Sequence, residues 1–144
     1  GYDEDTRYLS PAPLYHAAPL RHSAQIQVNG GTVYAMPKFD ADGLVTCVAT
    51  DVWTGDVLMV AHMNADAIAA TKASGEATFW SRSRARLWKK GETSGNVLRV
   101  IEMRVDCDQD ALWLIVDAAG PACHTGATSC FYRRVNGDTL ERVG

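Results

Sequence analysis

The chain has 144 residues, of which 47% are apolar and 22% charged, and this fits one globular domain that buries a core without disulfides. Its net charge of −3 argues against a nucleic-acid coat protein, because that binding depends on a basic face. No apolar run approaches the roughly 20 residues that span a bilayer. The acidic start, Gly1 to Asp5, lacks the basic region of a secretory signal. We therefore expect a cytoplasmic protein with no nucleic-acid or membrane partner.

The predicted elements begin after an N-terminal arm or irregular segment, residues 1–38, and occupy a domain at 39–144. Asn64 as cap, an alanine-rich stretch and Gly75 as stop predict one main helix at about residues 64–74. Alternating and apolar runs predict strands at 44–50, 57–61, 78–81, 97–105, 111–116 and 131–135. Together they predict an α+β, β-rich fold in which short antiparallel strands and hairpins form a barrel-like sheet.

Three of the four cysteines are candidate metal ligands. Cys47 lies in an apolar run and is predicted to be a buried structural thiol. Cys107, Cys123 and Cys130, with His124 or a water as the fourth ligand, would give zinc the tetrahedral sulfur and nitrogen shell it prefers. The spacing is not that of a zinc finger, so spacing alone supports three unrelated buried thiols nearly as well.

A second cluster, Asp106, Asp108 and Asp110, surrounds Cys107. Three carboxylates this close repel one another unless a hard cation lies among them, which favours a Mg²⁺ site. An EF-hand is not expected, because Ala111 stands where that loop needs glycine and residues 111–116 are predicted to form a strand. A solvated acidic turn remains the alternative.

A basic stretch at residues 80–90 precedes a glycine-rich turn at 91–95. Arginine forks and small hydroxyls suit phosphate oxygens, and Trp80 or Trp88 could stack on a base. A solvated charged face is the alternative, above all for Arg86 and Lys90. The candidate phosphate-binding and substrate-binding residues are Trp80, Ser81, Arg82, Ser83, Arg84, Lys89, Thr93 and Ser94.

Four of these segments, 80–84, 88–95, 106–110 and 122–131, resemble motifs of the phosphoribosyl-AMP cyclohydrolase family of histidine biosynthesis and occur in the same order as in that family. The resemblance covers roughly residues 39–134. It implies an intertwined homodimer in which Cys107 of one subunit joins Cys123 and Cys130 of the other on zinc, while the three aspartates hold Mg²⁺. Because the chain ends shortly after Cys130, the resemblance implies the form without a fused pyrophosphohydrolase domain.

The reaction implied is zinc-dependent hydrolysis of the N1–C6 bond of 1-(5-phosphoribosyl)-AMP, which opens the ring to the formimino aminoimidazole carboxamide ribotide. The purine is cationic, so C6 is electrophilic, and zinc deaminases attack the same carbon of adenine. Three thiolates leave a zinc site at net −1, which acidifies water less than three neutral histidines do. A nearby base should therefore help, and His124 is the candidate catalytic residue.

Two other functions fit parts of the pattern. One is a non-catalytic, zinc-stabilised nucleotide-binding module, whose metal would have four protein ligands. The other is a base deaminase, against which the absence of a His-x-Glu and Cys-x-x-Cys signature counts.

Overall fold

A computed structural model describes residues 7–10, 32–35 and 37–143. Most of the predicted N-terminal arm, residues 1–38, lies outside the described residues. The elements are β1 (Arg7–Ser10), β2 (Thr32–Ala35), β3 (Val45–Asp51), β4 (Val57–Met63), α1 (Ala65–Ser74), β5 (Thr78–Ser81), β6 (Arg86–Lys89), β7 (Leu98–Val105), β8 (Ala111–Ala118), β9 (Arg133–Asn136) and β10 (Thr139–Arg142).

Six strands form one curled, half-barrel sheet in the order β6-β5-β4-β3-β8-β7. Its neighbours pair antiparallel except β3 and β8, which run parallel from Thr46 opposite Ala111 to Asp51 opposite Val116. β1 and β2 form a separate parallel pair, and β9 and β10 a separate hairpin. The predicted β-rich fold with one main helix is confirmed, with the parallel pairing of β3 and β8 as the departure from it.

Helix α1 begins and ends where its capping residues predict. The Asn64 side chain accepts a hydrogen bond of 2.8 Å from the amide of Ala67, which would otherwise have no partner in the first turn. At the other end Gly75 has φ 71°, and its amide donates to the carbonyl of Thr71. The helix packs against β4 and β5 and so covers one face of the sheet.

The core lies on that covered face. Five strands of the sheet each point a side chain into it that is at most 1% exposed, namely Cys47, Leu58, Phe79, Leu98 and Leu114. Burial of the leucine and phenylalanine side chains contributes about 1.5–3 kcal/mol each to the stability of the domain.

The opposite face of the sheet, called here the outer face, carries apolar side chains that are partly exposed among the described residues. Val48 lies directly opposite Val60 on one side and Trp113 on the other, so the three share a face. Val60 is 43% exposed and Trp113 39%, and the guanidinium of Arg104 stands 4.8 Å from the Trp113 ring.

None of the helices in the described part of the chain has the length and apolar character needed to cross a membrane.

Candidate functional site

A cavity of about 550 Å³ opens beside strand β6. Two loops complete its wall: the glycine loop, residues 91–96, which follows β6, and the cysteine loop, residues 121–130, which follows β8. Its wall brings together seven of the predicted site residues, namely Arg84, Lys89, Thr93, Ser94, Cys123, His124 and Cys130.

The cysteine loop places the thiols of Cys123 and Cys130 and the imidazole of His124 at the cavity. Within it, the amide of Gly126 donates to the carbonyl of Cys123 and the amide of Cys123 to that of Ala127, both at 3.1 Å, which closes a tight turn. The amide of Cys130 donates to the carbonyl of Leu58 at 2.8 Å and so ties the loop to β4. The His124 Nδ1 lies 4.0 Å from the Cys123 sulfur.

The two thiols have opposite acid–base tendencies. Cys123 is only 7% exposed, and the Thr125 hydroxyl donates to its sulfur at 3.1 Å. That hydrogen bond holds the pKa of Cys123 below its usual value. Desolvation and the neighbouring Cys123 raise the pKa of Cys130, and the charge of Lys90 offsets part of that rise. The loop therefore presents one sulfur whose pKa is lowered and a second sulfur close enough to interact with it.

Two adjacent lysines, Lys89 and Lys90, lie in the basic wall of the cavity and have different partners. The Lys89 ammonium forms a salt bridge of 2.8 Å with Glu76. The Lys90 ammonium contacts only the backbone carbonyl of Asn96, at 3.4 Å, among the hydrogen bonds of the described residues. Lys90, which the sequence pattern left as a solvated charge, therefore brings its positive charge to the cavity. Because both lysines sit in the same motif, only the position of Glu76 distinguishes them.

Four predicted substrate-binding residues lie outside the described lining of the cavity. Trp80 lies opposite His62 in the sheet, and Trp88 lines the cavity instead, with its ring 5.2 Å from that of Phe79. Ser81 is 9% exposed and accepts hydrogen bonds from the Arg84 amide and Nε, at 3.3 and 3.2 Å. Ser81 thus braces an arginine that does reach the cavity. The other two, Arg82 and Ser83, are exposed on the β5–β6 turn.

The three aspartates lie together on the acidic turn, residues 106–110, which joins β7 to β8. Their carboxylate oxygens are within 4.8 Å of one another, the one such group of three potential metal ligands in the described part of the chain. The amide of Ala111 donates to Asp106 at 3.0 Å and lowers the pKa of that carboxyl. Hydrogen bonding with Asp106 raises the pKa of Asp108, as expected when neighbouring carboxylates share a proton.

Cys107 is exposed on the same acidic turn and is not brought to the other two cysteines. The acidic turn precedes β8 and the cysteine loop follows it. An eight-residue strand at about 3.3 Å per residue separates its ends by about 23 Å. Within one chain, the three predicted zinc ligands are therefore divided between the two ends of β8.

Two thiols, an imidazole and a basic wall around one cavity are the groups that an enzyme acting on a small anionic substrate needs. A family model described as phosphoribosyl-AMP cyclohydrolase matches residues 59–132, which contain the cavity and the acidic turn. A curated phosphoribosyl-AMP cyclohydrolase of Rhizorhabdus wittichii is 70% identical over 109 residues, covering 74% of this chain and 88% of that protein. Those of Rhodopseudomonas palustris (strain BisB5) and Sphingopyxis alaskensis are 70% and 69% identical, covering 71% and 72% of this chain and 69% and 82% of theirs.

The chain belongs to the phosphoribosyl-AMP cyclohydrolase family, hydrolases of histidine biosynthesis. The resemblance read from the four sequence motifs is thus confirmed.

Proposed function

We propose that this enzyme hydrolyses the N1–C6 bond of the adenine ring in 1-(5-phosphoribosyl)-AMP and releases the opened formimino aminoimidazole carboxamide ribotide. The observation that carries the proposal is the cavity in which the two thiols and imidazole of the cysteine loop face a basic wall. A substrate with two phosphate groups needs cationic walls, and the attack on its ring needs an activated water at a fixed place.

The donors in the cysteine loop fit zinc. Cys123 and Cys130 interact through their sulfurs, and the hydroxyl of Thr125 favours the thiolate form of Cys123, which is the form that binds metal. The imidazole of His124 stands beside them. When bound, zinc would polarise and acidify the water that attacks C6.

The third sulfur is proposed to come from a second copy of the chain. Cys107 lies at the far end of β8 from Cys123, so one chain alone does not assemble the set of three. The apolar outer face, with Val60 and Trp113 exposed, supports an interface between two subunits. In such a homodimer, Cys107 of one subunit would complete the zinc site of the other.

The chain's own residues would then hold the substrate. Arg84, Thr93 and Ser94 line the cavity and would bind phosphate oxygens. Because Glu76 neutralises the charge of Lys89 in a salt bridge, Lys90 would supply the lysine charge that attracts the substrate. The remaining predicted contacts, Trp80, Arg82 and Ser83, would reach substrate only across a subunit interface. His124 would take a proton from the attacking water, since its ring is exposed at the cavity.

The acidic turn is proposed to bind Mg²⁺ through Asp106, Asp108 and Asp110. Their oxygens are close enough to share one cation, and a cation there would relieve the repulsion among them. We expect Asp108→Asn to raise the Mg²⁺ concentration needed for half-maximal turnover, and an unchanged requirement would contradict the site.

The central experiment follows ring opening by ultraviolet absorbance with purified Cys123→Ser, with Cys47→Ala as the matched control. Cys47 lies in the core on β3, so its replacement should leave zinc content and turnover intact. Cys123→Ser should lose both together, and a zinc chelator should stop the unmodified enzyme. Full turnover by metal-free enzyme would overturn the proposal.

A further inference from the structure

The Thr125 hydroxyl contacts the sulfur of Cys123 from outside the cavity. Its Oγ1 donates to that sulfur at 3.1 Å, while among the cysteine loop residues Cys123, His124 and Gly126 line the cavity and Thr125 does not. Thr125 is otherwise exposed to solvent. The hydroxyl therefore has a partner on the thiol but no place against a substrate held in the cavity.

The turn of the cysteine loop fixes this contact. The amide of Gly126 donates to the carbonyl of Cys123, and Gly126 has φ 85°, a left-handed conformation that reverses the chain directly after Thr125. The backbone thus brings residue 125 back over residue 123. The amide of Cys123 also donates to the carbonyl of Ala127, so two backbone hydrogen bonds fix the turn. Holding the Thr125 hydroxyl on the sulfur therefore costs little conformational entropy.

We infer that Thr125 is a positioning residue for the metal site, which orients the sulfur of Cys123 and withdraws electron density from it. This inference rests on the proposed zinc site. Outer partners of metal ligands set ligand orientation and donor strength, and their loss costs about 10–100-fold in metal affinity. A hydroxyl donor also disperses the negative charge that three thiolates would concentrate around one cation.

Three variants of the full chain test the role. Thr125→Val keeps the shape and removes the donor, Thr125→Ser keeps the donor, and Thr128→Val removes a hydroxyl of the same loop that makes no side-chain hydrogen bond among the described residues. Zinc affinity is measured at constant pH by competition with a chromophoric chelator. Thr125→Val should bind zinc about 10–100-fold more weakly, because the lost orientation of the Cys123 sulfur outweighs its gain in donor strength, whereas the other two should stay within a few-fold of the unmodified chain.

The absorption spectrum of the cobalt-substituted protein is a second measurement, and a purely structural role of Thr125 would leave it unchanged. With Co²⁺ in place of zinc, loss of the hydrogen bond should make the sulfur a stronger donor and shift the thiolate-to-cobalt charge-transfer band to longer wavelength in Thr125→Val but not in Thr125→Ser. Circular dichroism of the metal-free proteins checks that the variants fold, and Thr125→Ala replaces Thr125→Val if that variant does not. Unchanged zinc affinity and an unchanged band in the donor-free variant would overturn the role of Thr125 alone. An unmodified chain that binds no zinc would overturn the proposed function and this inference together.

Discussion

Replacing Gly91 with alanine should destabilise the protein more than the same change at Gly95, although both glycines lie in the glycine loop. Both have positive φ, 82° and 76°, so alanine at either position costs about 1–2 kcal/mol for the left-handed backbone. At Gly95 a Cβ would meet nothing within 4 Å. At Gly91 it would overlap the backbone of Asn96 and Val97.

That backbone has little freedom to move. The amide of Val97 donates to the carbonyl of Gly95 at 2.8 Å, and the carbonyl of Val97 accepts from the amide of Ala119 at 3.0 Å. Overpacking of this kind adds about 1–3 kcal/mol. We therefore expect the free energy of unfolding to fall by about 2–5 kcal/mol in Gly91→Ala and by about 1–2 kcal/mol in Gly95→Ala.

Urea denaturation of the two variants measures the difference directly, because it gives the free energy of unfolding of each. Gly91→Ala should also raise KM, since the same loop carries Thr93 and Ser94 into the cavity. Equal destabilisation by the two substitutions would refute the steric argument, because the strain of the positive φ is common to both.

Three further predictions concern the rest of the domain. Asn64→Ala removes the cap of α1 and should cost about 1 kcal/mol in thermal unfolding, and no loss would mean that the bond to Ala67 is not needed. Leu114→Ala should cost about 2–5 kcal/mol in urea, because Leu114 is fully buried on a central strand, and a loss under 1 kcal/mol would indicate that the core collapses around the change. Burial raises the pKa of Cys47 from 9.0 to about 12, so iodoacetamide at pH 8 should leave Cys47 unmodified until the protein is unfolded. The protonated thiol also stabilises the folded state, and this contribution to the free energy of unfolding, complete below pH 9, should be lost as the pH rises towards 12. Mass spectrometry checks the modification, and unfolding at alkaline pH checks the loss of stability.

The elements that could be predicted are those whose signals are local. The cap at Asn64, the stop at Gly75 and the acidic turn between two apolar runs all act within a few residues. The hairpin of β9 and β10 was only half predicted, as one strand at 131–135, although Gly137-Asp138 is a two-residue turn signal between the paired residues Asn136 and Thr139.

The features that escaped prediction depend on partners distant in sequence. Strand β6 has only four residues and lies within the basic stretch, and it forms a strand because all four of its residues pair with β5. Likewise the parallel pairing of β3 with β8 follows from the packing of the whole sheet and has no local signature.

The sequence motifs predicted the residues of the candidate site, and the structure shows which of them line the cavity. The motifs included both cysteines, His124 and the glycine loop, because their chemistry is evident from residue type. They could not tell Lys90 from Lys89 or show that Ser81 braces Arg84, since each distinction depends on a contact outside the motif or on burial.

The parallel pairing of β3 with β8 has a consequence for how the protein is made. Its partners are about 65 residues apart in sequence, and everything from β4 to β7 lies in the interval between them. A nascent chain emerging from the ribosome can form the β3–β4 hairpin early, but the parallel pairing of β3 with β8 must wait until β8 has left the exit tunnel. Contacts of such long range slow folding, so β3 keeps one unpaired edge, prone to aggregation, until β8 is available to pair with it.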